Sequence, residues 1–94
     1  MPAERLTYQV DEAIERLVAD VLQIPATTIT NDLAMKDLDV WDSLKHMELV
    51  VSLEQSFGIQ LTFDEIIRMQ TVGEIKRVLR EREPGWTSAE KKLS

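Results

Sequence analysis

Asp42-Ser43-Leu44 places one hydroxyl where an acidic loop gives way to the start of an amphipathic helix. From Asp37 to Glu65 the chain carries seven acids (Asp37, Asp39, Asp42, Glu48, Glu54, Asp64 and Glu65) against one base, Lys45, a net charge of −6. That equals the charge of the whole chain, because the remaining ten acids and ten bases cancel. Ser43 therefore sits in one concentrated negative field. The simplest role for an Asp-Ser pair before a helix is to cap the free N–H groups of the first turn. A second reading makes Ser43 a nucleophile with His46 as its base, since positions i and i+3 are neighbours on a helix. Against it, no Gly-x-Ser-x-Gly elbow surrounds the serine, no glycine-lined oxyanion pocket is evident, and the one histidine lies on the serine's own helix. A lone histidine beside Lys45 and Glu48 reads instead as a solvated or cap-adjacent side chain. A calcium loop is the third candidate, with Asp37, Asp39 and Glu48 at positions 1, 3 and 12 of the template. It fails in the middle, where Trp41 and Asp42 replace the fifth-position ligand and the sixth-position glycine and Glu48 already lies inside the helix. No metal site is predicted.

Composition narrows the setting of that serine. Ninety-four residues, 44% of them hydrophobic, suffice for one small domain with one core. The sequence holds no run of about 18 apolar residues that would span a bilayer and no basic-then-apolar leader, so it reads as a cytoplasmic protein without a membrane partner. Zero cysteines exclude a disulfide framework, a zinc knuckle and a thiol nucleophile within the polypeptide, so any thiol chemistry must be imported. The net charge of −6 argues against nucleic acid, whose phosphates need clustered Lys and Arg. Partners with basic surfaces are expected.

The elements that must position Ser43 are helical almost throughout. Val10, Ile14, Leu17, Val18, Val21 and Leu22 share one face of a first helix that Ile24-Pro25 stops. Residues 26–41 form a long irregular connection pinned by Ile29, Leu33, Met35 and Leu38, of a length that is commonly functional or carries a short helix of its own. A second helix runs from about Ser43 to Phe57 and ends on a left-handed Gly58. Thr62 with Glu65 is a capping box for a short third helix through about Met69, and Thr71 with Glu74 is a second box opening a fourth. Val72, Ile75, Val78 and Leu79 are its inward residues, and Pro84-Gly85 is predicted to end it.

Trp41-Asp42-Ser43-Leu44-Lys45-His46-Met47-Glu48-Leu49-Val50, then Leu53-Glu54, Phe57-Gly58-Ile59, Phe63-Asp64-Glu65-Ile66 and Thr71-Val72-Gly73-Glu74-Ile75 together resemble the acyl carrier protein family. The resemblance covers roughly residues 8 to 82 and needs no insertion or deletion from Asp42 to Ile75. It implies an all-α fold, a four-helix bundle with a short third helix and a long loop between helices one and two. It further implies that Ser43 bears 4′-phosphopantetheine through a phosphodiester, which supplies the missing thiol. On that reading the chain is no enzyme but a monomeric carrier. Its partners would be a phosphopantetheinyl transferase and acyl-activating or acyl-transferring enzymes with basic docking surfaces. The carrier domain is expected at 1–83, with 84–94 a flexible tail.

The same reading assigns partner recognition to Asp42, Leu44, Lys45, Met47, Glu48, Val51 and Glu54. It assigns contact with an acyl chain to Met47, Val50, Ile66 and Met69. Many fatty-acid carriers of the family have glycine where this chain has Val40 and an acid where it has Lys45. The Trp-Asp-Ser-Leu variety is more similar to discrete carriers of specialised pathways. An aminoacyl or peptidyl carrier, or an unmodified four-helix interaction module, would share the pattern.

Overall fold

A computed structural model describes the backbone of residues 2–93 and the side chains of residues 10–82. Four helices follow one another: α1 (Pro2–Leu22), α2 (Ser43–Phe57), α3 (Phe63–Arg68) and α4 (Val72–Leu93). The faces that periodicity selects are the faces buried. Val10, Ile14, Val18 and Leu22 of α1, Leu49, Val50 and Leu53 of α2, and Val72, Ile75, Val78 and Leu79 of α4 form one core with Leu61 and Met69. α1 closes on Gln23 in the left-handed region (φ 57°), with Ile24 N–H donating to Ala19 O at 3.0 Å. α2 closes on Gly58 (φ 64°). The first of these caps is the costlier, since a side chain disfavours that region.

α4 differs from expectation at its far end. It is helical past Pro84-Gly85 to Leu93, so the proline does not stop it. A proline inside a helix removes one backbone donor and strains one turn, and that penalty is local. The expected tail at 84–94 concerns residues whose side chains lie outside the described ones.

The connection between α1 and α2 is built as a fastened strap. It contains two short 3₁₀ turns, Ala26–Thr28 and Met35–Asp37, as its length suggested. Ile29, Ala34 and Trp41 are buried along it. Its middle pairs with the start of α4: Met35 N–H donates to Gln70 O at 2.8 Å, Val72 N–H to Leu33 O at 3.0 Å and Gly73 N–H to Asn31 O at 2.9 Å. Lys76, buried on α4, adds a side-chain tie. Its ammonium reaches Glu15 of α1 at 2.6 Å and Asn31 of the strap at 2.7 Å. A buried lysine is tolerated because both partners face it.

Candidate functional site

Asp42, not Ser43, is the N-cap of α2. Its backbone is extended (φ −92°, ψ −174°), its carboxylate accepts from Lys45 N–H at 2.9 Å, and its carbonyl accepts from His46 N–H at 2.8 Å. That leaves the N–H groups of Ser43 and Leu44 for solvent or for an anion at the positive end of the helix. Ser43 is the first helical residue and is exposed, with exposed neighbours on both sides. An esterified phosphate therefore fits this position sterically and electrostatically. Nearby, Leu44 (69% exposed), Met47 and Val51 project from α2, and Phe63 (75% exposed) and Ile67 from α3.

His46 corrects the expectation of a solvated side chain. It is 6% exposed, and Trp41 beneath it is 1% exposed. Trp41 Nε1–H donates to His46 Nδ1 at 3.0 Å, and His46 Nε2 lies 2.9 Å from Ile66 O. Indole is a donor only, so Nδ1 is the acceptor and Nε2–H donates to the carbonyl. Both ring nitrogens are engaged away from Ser43, and a Ser43–His46 dyad has no free base. The Trp41–His46 spacing of five was the signal for this contact, and it is legible only once the loop is known to turn back under α2.

The predicted recognition acids are not equivalent. Glu48 pairs with Lys45 at 3.2 Å on the exposed face. Glu54 is half-buried, and its carboxylate accepts from Leu61 N–H at 2.9 Å, which fastens the α2–α3 connection. Its placement suits a structural task rather than docking. The predicted acyl-contact residues also separate. Val50 and Met69 lie inside the core and Ile66 packs against it. Met47 is half-exposed instead, lining a groove of about 590 Å³ with Val21, Gln23, Leu44 and Val51.

α3 is short, and its capping explains how it survives. Thr62 Oγ1 accepts from Glu65 N–H at 3.1 Å while Glu65 accepts from Thr62 N–H at 2.9 Å. Glu65 also receives Arg82 of α4; that guanidinium's hydrogen bond, against the opposing effect of burial, holds its carboxyl at about 2 rather than the usual 4.5. At the other capping box only the Thr71 side resembles the prediction, Oγ1 accepting from Glu74 N–H at 3.0 Å. The Glu74 carboxylate turns to Arg77 at 3.3 Å.

Residues 12–79 match the family model described as a phosphopantetheine attachment site. The chain belongs to the acyl carrier protein family. The carrier is 40% identical over 67 residues to polyketide-8 synthase acyl carrier protein 2 of Streptomyces avermitilis, covering 70% of this chain and 76% of that one. It is 39% identical to an acyl carrier protein of Lactobacillus johnsonii over 68% of this chain and 85% of that one. Its fold is similar to the solution structure of a holo acyl carrier protein from Geobacter metallireducens, with a TM-score of 0.74 and 26% identity over 83% of this chain and 90% of that one. The family's cofactor, 4′-phosphopantetheine, is thereby the carrier's, and the protein is a carrier rather than a catalyst. No helix of the described residues is long and apolar enough to cross a membrane.

Proposed function

We propose that Ser43 is the attachment residue and that the protein serves a dedicated cytoplasmic pathway as a discrete carrier in a domain spanning 1–83. The observation that carries the first part is the exposed serine at the first position of α2, inside the matched family region. Asp42 holds the turn by capping Lys45 and so leaves the Ser43 hydroxyl outward. When attached, the cofactor supplies a thiol on which acyl groups are held as thioesters. Leu44, Met47 and Val51 offer apolar contact to the partners, a phosphopantetheinyl transferase and acyl-transferring enzymes, and Asp42 and Glu48 offer charge. Support for a dedicated pathway comes from Lys45 at a position many fatty-acid carriers fill with an acid, and from the polyketide-type relative. Incubation with coenzyme A and a broad-specificity transferase, followed by intact mass and peptide mapping, tests the site. One cofactor mass on Ser43, absent from Ser43→Ala, is expected; addition elsewhere overturns the assignment.

A further inference from the structure

α3 offers little of itself to the core. It is six residues long, Phe63 and Ile67 stand in solvent, and Ile66 alone of its apolar residues is packed inward, with Met69 just beyond. It is tied to α4 by side-chain ion pairs, Arg68 with Glu81 at 3.2 Å and Glu65 with Arg82. Toward α2 it is tied by backbone groups: Leu61 N–H to Glu54 ahead of it, and Ile66 O to His46 within it.

Ile66 O is one of the end carbonyls that a helix leaves without a regular partner. The others are satisfied locally. Glu65 O accepts from Met69 N–H at 3.2 Å, Ile67 O from the Gln70 side chain at 3.0 Å and Arg68 O from Gln70 N–H at 2.7 Å. Within α3, Ile66 O has a longer bond, 3.3 Å from Met69 N–H. The 2.9 Å bond from His46 is its better one, and it comes from another helix.

We propose that His46 is a positioning residue whose two ring nitrogens clamp the turn presenting Ser43, through Trp41, and latch α3 shut against α2 over Val50 and Met69, through Ile66 O. The proposal rests on Ser43 as the attachment residue only for its bearing on cargo; the latch belongs to the bare polypeptide. Val50 and Met69 are sealed in the core, so an acyl chain reaches them only if α3 swings from α2. That motion breaks the His46–Ile66 bond while the ion pairs to α4 remain as the hinge.

Two isosteric substitutions separate the two ends of the clamp. His46→Asn keeps an acceptor near Nδ1 and loses the Nε2 donor. His46→Gln keeps a donor near Nε2 and loses the Nδ1 acceptor. In the unmodified protein, amide exchange across residues 63–68 is expected to quicken about tenfold in His46→Asn and stay near the parent rate in His46→Gln. Trp41 emission is expected to shift in His46→Gln and not in His46→Asn. Equal α3 exchange in both variants and the parent overturns the latch, as does equal acceleration in both, which marks a merely packed side chain. Long-range nitrogen–proton correlation on the parent protein stands even if a variant fails to fold. It is expected to place the His46 proton on Nε2, and a proton on Nδ1 overturns the proposal. Octanoyl loading then reads the bearing on cargo: larger shifts of the Val50 and Met69 methyls in His46→Asn than in the parent are expected, and equal shifts overturn that bearing. Absence of the octanoyl mass on Ser43 marks failure of the attachment reading instead.

Discussion

At the scale of single residues, the cap and the proposed attachment point are adjacent but separate. Ser43 does not cap α2, so Ser43→Ala should change stability by less than about 0.5 kcal/mol in a denaturant titration, while abolishing cofactor addition. Asp42→Ala removes the cap and should cost about 1 kcal/mol. Lys45 is the residue proposed to bear on partner choice. Its pairing with Glu48 cancels one acid of the proposed docking face, and exposed pairs of this kind contribute under about 1 kcal/mol to folding. Lys45→Glu should therefore leave stability almost unchanged and raise kcat/KM with enzymes of fatty-acid synthesis at low salt, the gain shrinking as salt is added. An unchanged kcat/KM would remove Lys45 as a specificity residue. The family was legible as a resemblance around Ser43, because the serine's neighbours out to Ile75 match in register, and its role as attachment residue is proposed on that register. His46 was not, because a histidine's burial depends on the path of a loop that periodicity does not describe.

Among the elements, the two left-handed caps give opposite expectations. Gly58→Ala should destabilise by about 1 kcal/mol, a conformational cost alone, since a Cβ there has nothing within 4 Å. Gln23→Gly should stabilise through relief of the same cost at the end of α1, and a paired thermal melt of both variants checks the sign. The sequence showed Gly58 and missed Gln23, because only the first carries its conformational freedom in its residue type. α3 gives the pH dependence. Glu65 has a folded-state pKa lowered to about 2 from 4.5, so its pairing with Arg82 stabilises fully above the unfolded value and is lost as pH falls from 4.5 toward 2. Glu65→Gln should flatten that part of the stability profile and lose part of the stability seen at neutral pH. Acid-induced loosening of amides 63–68 in the parent, absent as a pH effect in the variant, is the measurement.

Over the whole molecule, the helical order and the inward faces of α1, α2 and α4 were readable from period and capping alone. The strap between α1 and α2 was readable only as pinned somewhere. Its fastening at Asn31, Leu33 and Met35 uses backbone groups of residues 70–73 and the Lys76 ammonium, and main-chain pairing carries no residue signature. Lys76→Ala, which leaves Asn31 and Glu15 without their shared cation, should cost more than loss of any exposed pair and should loosen the strap amides. Thermal melts with exchange readout across 26–41 check it. The same fastening sets an order in time. The segment leading into Ser43 takes its shape from groups at 70–76, which leave the ribosome after the serine itself. A chain cut after α2 would hold the serine without the scaffold that presents it, so a transferase that reads the folded turn is expected to modify the whole carrier domain and not such a fragment.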